Sequence, residues 1–261
     1  MIEMHRHLEP AALHPVLTPP RNGIDVGLVQ PQRGQLYHLA GPGRAGSSMR
    51  PVAEHWIARA LAEGEVVHWV DGACRIDPSR LIPALDALDA DTEACLSRLY
   101  LSRGFTLHQL DRQLERLPKE LAITRSPLVV VDGLLAMHED DAVRRLESRV
   151  LLRRHIGLLQ HITARLHLAV IVITERHATS SHQQRLIRHV HRASHNHLYG
   201  HWQGPRRRRN LHLFHPRSGL QGIFAPRLDA AQARFAIPTP LLNNRKSAQL
   251  IGSLPLHHEE T

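Results

Sequence analysis

Apolar residues along this chain fall into short runs separated by longer amphipathic stretches, the alternation that builds strand–helix–strand units. Gln35-Leu-Tyr-His-Leu-Ala40 reads as a strand entering a glycine-rich turn. A helical pattern then runs from Met49 to Glu63, with Pro51 in the first turn where proline is tolerated. Gly64 stops it, and Glu65-Val-Val-His-Trp-Val70 is a second buried-type strand closing on Asp71. Pro78 to Leu88 is helical, interrupted by Pro83. Arg98 to Ser102 is a third strand, and Thr106 caps a helix reaching about Leu117.

Pro127-Leu-Val-Val-Val-Asp132 is the cleanest buried strand, a β-branched run ending on a carboxylate. Residues 141–166 predict a long amphipathic helix whose stripe is Val143, Leu146, Val150, Leu151, Ile156, Leu159 and Ile162. Leu168 to Thr174 is another buried strand. Residues 175–209 are polar and rich in His and Arg, and read as a loop segment. Short, antiparallel strands are expected near 210–215, 220–225 and 232–237. The fold class is therefore α/β, a mostly parallel sheet flanked by helices with short antiparallel C-terminal strands. Residues 1–34, with five prolines and three glycines, form an extended lead-in; 35–237 form the core; 238–261 form a loosely ordered tail.

Composition changes this picture in three ways. A formal charge of +9 favours polyanionic partners, nucleic acid foremost. Two cysteines, Cys74 and Cys95, offer neither a disulfide framework nor a zinc knuckle and suit a reducing cytoplasm. No apolar run is long enough to span a membrane, so no membrane partner is expected.

The turn after the first strand, Gly41-Pro-Gly-Arg-Ala-Gly-Ser-Ser48, has the spacing of the phosphate-binding pattern G-x-x-x-x-G-K-[ST]. Gly41, Gly43, Gly46 and Ser48 fit it, and Asp132 ends a later strand where a carboxylate would support Mg²⁺ through water. Ser47 stands where the lysine belongs. Arg44, three positions early, and Arg50 are the available substitutes. Two readings stay open for the loop: a strand–helix turn that binds nothing, or weak nucleotide binding through backbone amides. Asp132 likewise reads as a turn carboxylate or as Mg²⁺ support. ATP with Mg²⁺ is thus at most a weak ligand, and no cofactor is assigned.

The resemblance extends beyond this loop. Val70-Asp-Gly-Ala-Cys-Arg-Ile-Asp-Pro-Ser-Arg80 is similar to the second-strand motif of the RecA/RadA recombinases, and Leu101 to Leu110 to their third strand and following helix. Leu128 to Asp132 resembles the Walker B strand, and Ala169 to Thr174 the strand before the second DNA-binding loop. Arg209-Asn-Leu-His-Leu-Phe214 and Ala233-Arg-Phe-Ala-Ile237 are similar to the C-terminal strands. The order is collinear over roughly 21–237, and no single motif is intact. The resemblance puts the general base at Ala73, which has no group to orient water, and replaces a polar sensor with Glu175-Arg176. It therefore implies a RecA-like P-loop core with little or no ATP hydrolysis.

The family's mobile DNA-gripping loop corresponds to the segment holding Arg176, Arg185, Arg188, Arg192, Arg206, Arg207, Arg208 and Arg209. Arg185, Arg188 and Arg192 would share one helical face able to follow a phosphate backbone. Tyr199 and Trp202 either stack on bases or pack on the core. His189, His191, His195, His197 and His201 would give two i, i+4 pairs on a helix, His191/His195 and His197/His201. Without carboxylate or cysteine companions, and with 22 histidines in the chain, they read as adventitious metal capture, and no metal site is assigned. The expected function is a DNA-binding accessory protein in recombination or repair, acting on single-stranded DNA beside another recombinase or repair protein. The alternatives are an atypical ATPase using Arg44 or Arg50, and a non-enzymatic interaction scaffold. The Phe-x-x-Ala self-assembly element has no counterpart in residues 1–34, since the first phenylalanine is Phe105, which favours the accessory role.

Overall fold

The computed structural model describes residues 29–205 and 209–224. The lead-in before Val29, Arg206 to Arg208, the strand expected at 232–237 and the tail lie outside the described residues. Among the described residues, eight strands form one sheet in the order β3-β2-β4-β5-β1-β6-β7-β8. They are β1 (Leu36–Gly41), β2 (Val67–Asp71), β3 (Leu99–Arg103), β4 (Leu128–Asp132), β5 (Ala169–Glu175), β6 (Asn196–Gln203), β7 (Asn210–His215) and β8 (Leu220–Ile223). The first six are parallel, and β7 and β8 are added antiparallel. This is the mostly parallel α/β sheet that the hydrophobic pattern predicts.

Period-two alternation sends the strand residues to two cores. Tyr37, Leu39, Trp69, Val130, Ile171 and Ile173 face one layer, packed by α1 (Arg50–Ala62), α2 (Ile82–Ala87) and α3 (Thr92–Leu96). Leu36, Val70, Val129, Val131, Val170 and Val172 face the other, packed by α4 (Leu107–Thr124), α5 (Arg145–Leu166) and α6 (Ser181–Ala193). β1, β2 and β4 are buried at every residue, which is why they read as continuous apolar runs.

The helices differ from expectation in instructive places. Pro51 sits in the first turn of α1, and Pro83 opens α2 after a separate 3₁₀ turn at Pro78–Leu81. Thr106 caps α4 by accepting from the Gln109 amide, but the helix continues past Pro118 to Thr124 because Leu110, Leu114, Leu117 and Leu121 keep one buried stripe. α5 begins at Arg145, so Val143 is outside it. Leu146 and Val150 are exposed. Its inward face is instead Ser148, Leu152, His155, Ile156, Leu159 and Ile162.

The largest correction is the segment 175–209. Its described residues hold a helix and a strand rather than a loop. Ser180 caps α6 through the Gln183 amide, and Leu186 and Val190 anchor it. β6 then joins β1 in parallel, with Asn196, Leu198 and Gly200 buried in alternation. His195 locks its entry by donating its amide to the Leu36 carbonyl while its Nδ1 accepts the Leu36 amide.

Several buried histidines are part of this packing. His155 lies between Asp111 and His138, whose Nδ1 approaches the Ser148 carbonyl at 3.0 Å. His215 lies against the Tyr37 hydroxyl. Burial pushes His138 down to about 3 and His215 to about 4, and lowers His155 as well. The unfolded chain takes up these protons first, beginning near pH 6.5, so acid favours unfolding. Denaturant midpoints should be nearly flat from about pH 7 to 9 and fall below about pH 6.5, each such histidine contributing up to about 1.4 kcal/mol per pH unit, against a smaller opposing contribution from Asp132 and Glu139, whose carboxyls burial raises to about 6 and about 7. A His215→Asn variant should show a shallower fall in the same urea titrations.

Candidate functional site

The glycine-rich turn leaves the C-terminal end of β1, the sheet edge where α/β folds place their ligands. Its chain does not run straight into α1. A 3₁₀ turn spans Arg44–Met49, with Ala45 and Gly46 both in the left-handed region (φ 55° and 68°). The Gly46 amide donates to the Gly43 carbonyl (3.0 Å) and the Ser48 amide to the Pro42 carbonyl (3.2 Å). The Ala45 amide donates to the Glu175 carboxylate at the end of β5. A side chain at Gly43 would collide with the Ser47 hydroxyl, and one at Gly46 with the Thr174 carbonyl. The hollow beside Gly43 is therefore filled by Ser47, and Gly46 is pressed onto β5.

Behind the loop, Asp132 is fully buried at the end of β4. Arg50, in the first turn of α1 and 5 % exposed, donates its Nε to Asp132 Oδ2. Burial pushes Asp132 up to about 6 against the pull of Arg50. Asp71 organises the turn that follows β2, accepting the amides of Ala73, Arg75 and Ile76 and pairing with Arg103 at 2.9 Å. Ala73 is thus part of a carboxylate-tied turn, with no acid or base of its own. Arg44 is exposed. Beside the loop, burial and the neighbouring Glu175 carboxylate raise Glu139 to about 7, while Gln183 and Arg44 draw it down.

A second concentration of charge lies on the α5/α6 layer. Arg185, Arg188 and Arg192 do lie along one side of α6, and they line a shallow groove with Arg149 and Arg153 of α5. Leu152, Leu186 and His189 complete its lining. All five arginines are exposed or partly exposed, and among the described residues none pairs with a carboxylate. Arg154, one position on, is tied instead to Asp111 and Glu115. Arg176 is not in this row. Its guanidinium donates to the Gly200 carbonyl at 3.2 Å and lies over the Tyr199 ring. Arg209 is exposed just before β7, and Trp202 is 43 % exposed.

Among models of protein families, Rad51 matches residues 53–201, more than half the chain, from within α1 into β6. The chain belongs to the Rad51 family. A search of curated proteins finds no match. The Rad51 match includes β4, β5, α6 and the α5/α6 groove, and the glycine-rich loop precedes it. Among the described residues, no helix is long and apolar enough to cross a membrane.

In this Rad51-family chain, the loop residues Gly41 to Ser48 and Asp132 converge as the sequence order implies. Arg50 is fixed on Asp132 and Arg44 stays at the surface. Sequence reading missed Arg149 and Arg153, although their i, i+4 spacing on a helix was available as a signal. It also missed the Arg50–Asp132 partnership, which spans 82 residues and leaves no local trace. Breaking that pair leaves a buried uncompensated charge. Arg50→Ala should cost about 3–5 kcal/mol in urea denaturation, whereas Arg50→Met combined with Asp132→Leu should recover most of the loss.

Proposed function

We propose that this protein is a DNA-binding accessory factor of recombination or repair that grips single-stranded DNA and does not turn over ATP. Its Rad51 membership supports a recombination- or repair-related RecA-like role. The observation that carries the DNA reading is the α5/α6 groove, where five arginines without acidic partners lie along two packed helices. Guanidinium groups so placed can contact successive phosphates while leaving bases unread, which gives affinity without sequence preference.

The loop supports the second half of the proposal. A phosphate cradle needs backbone amides pointing at the ligand and a cation to neutralise it. Here the Ala45, Gly46 and Ser48 amides are engaged within the protein, and Ser47 lies against Gly43. The carboxylate of Glu175 meets the loop where an anion would approach, with Glu139 nearby. These groups do not fit a Mg²⁺-triphosphate. The atypical-ATPase reading needs Arg50 or Arg44 at the γ-phosphate, and Arg50 is already bound to the carboxylate that would support the metal. Partner recombinases or repair proteins remain part of the proposal through the family alone.

Two measurements test it. Single-stranded DNA binding should weaken steeply with salt, and Arg185→Ala, Arg188→Ala and Arg192→Ala together should reduce the log–log slope by about 2, at about 0.7 per lost phosphate contact. An unchanged slope removes the groove from the interface. Incubated with ATP and Mg²⁺, the protein should release no phosphate above a blank; turnover abolished by Asp132→Asn would overturn the non-hydrolytic reading.

A further inference from the structure

The strand β6 that the loop expectation hid brings three histidines together from distant parts of the chain. His38 on β1 and His197 on β6 are register partners on adjacent parallel strands. Both point to the sheet face covered by α6, and α6 contributes His191. His191 and His197 are in ring contact, with centroids 4.0 Å apart and their Nδ1 atoms 3.1 Å apart. Each of the three can offer one ring nitrogen, and those atoms all lie within 4.8 Å of one another.

One hydrogen-bond arrangement around His38 leaves a ring nitrogen open to a ligand. In it the hydroxyl proton of Thr174 is donated to the Glu175 carbonyl at 2.9 Å. Thr174 Oγ1 therefore accepts from His38 Nε2–H, 2.8 Å away. A neutral imidazole with its proton on Nε2 carries a lone pair on Nδ1. That Nδ1 is buried and has no hydrogen-bond partner among the described residues, on a side chain only 1 % exposed. An unsatisfied buried lone pair is costly unless something binds it. A hydroxyl that orients a histidine through its other nitrogen serves as the outer partner a metal ligand needs.

We propose that His38, His191 and His197 form a binding site for one divalent transition-metal ion of the Zn²⁺ type. Three imidazoles make a borderline-soft donor set that suits such an ion and suits Mg²⁺ or Ca²⁺ poorly. Tetrahedral Zn–N bonds of about 2.0–2.1 Å place ligand nitrogens about 3.3 Å apart. His191 and His197 are already near that spacing, and rotation of these two half-buried rings about the fixed His38 closes the set. Water completes the fourth position, beside the Tyr199 hydroxyl, which lies 3.2 Å from His191 Nδ1. Such an ion ties α6, the helix bearing Arg185, Arg188 and Arg192, to the two strands beneath it. The site goes beyond the DNA reading and does not rest on it. It also differs from the i, i+4 pairs that the histidine spacing suggests, because His195 and His197 lie beyond the end of α6.

The test uses the full chain, stripped of metal and titrated with Co²⁺ alone, then with Zn²⁺ in competition. One equivalent of Co²⁺ should give the visible absorption of a tetrahedral site and be displaced by one equivalent of Zn²⁺. His191→Ala and His197→Ala, each checked for native circular dichroism, should lose the tight site. Thr174→Val should weaken it about 10- to 100-fold by freeing the His38 ring. A His201→Ala/His212→Ala double variant, which removes another close histidine pair, should retain it. Absence of a tetrahedral band, or its persistence in both His191→Ala and His197→Ala, overturns the proposal and leaves surface capture by scattered histidines. Loss of the band in the His201→Ala/His212→Ala variant also overturns it. Measuring the Co²⁺ spectrum without DNA keeps this outcome separate from that of the groove.

Discussion

Burial of β1 on both faces and both edges is the constraint from which the rest of the molecule follows. It pairs with β5 on one side and β6 on the other, and every one of its residues is buried. A strand so placed must satisfy its polar groups inside the protein. Tyr37 does so through His215, and His38 through Thr174 at Nε2 alone. The chain that leaves β1 at Gly41 has little freedom, since it must turn immediately over the end of β5. The contacts of Gly46 with Thr174 and of Ala45 with Glu175 are the result.

That crowding gives the glycine-rich loop its character. Loops of this kind hold phosphate by leaving amides unpaired and surrounding them with positive charge. In this protein the Ala45, Gly46 and Ser48 amides face carboxylate or carbonyl oxygens, and the buried arginine behind them is neutralised by Asp132. On the outer layer of α5 and α6, solvation lets five guanidinium groups stand close together at little cost.

Much of this was legible in the sequence, for identifiable reasons. Parallel strands buried on both faces leave uninterrupted apolar runs, so β1, β2, β4 and β5 could be placed within a residue or two. Thr106 and Pro51 marked helix starts through local chemistry. β6 was hidden because one of its faces carries Asn196, Leu198 and Gly200 and the other His197, Tyr199 and His201, so neither face leaves an apolar run. The long helix before β5 was found, but its buried face was misjudged because Ser148 and His155 are turned inward by the His138 network while Leu146 and Val150 face solvent. Pairings such as Arg50 with Asp132 or His38 with His197 depend on which strands become neighbours, and no local pattern encodes that.

The sheet also sets the order in which the molecule loosens. β3 lies at one edge, five residues long, with Tyr100 and Leu101 exposed. Among the described residues, β8, of four residues, is the last strand at the other side, on an antiparallel neighbour. β1, β4 and β5 lie between, each with partners on both sides. Amide protons should therefore exchange with solvent in a gradient, fastest from the two rims and slowest from the middle. The slow centre contains His38 and Asp132, so these two buried side chains are released only when the whole domain opens.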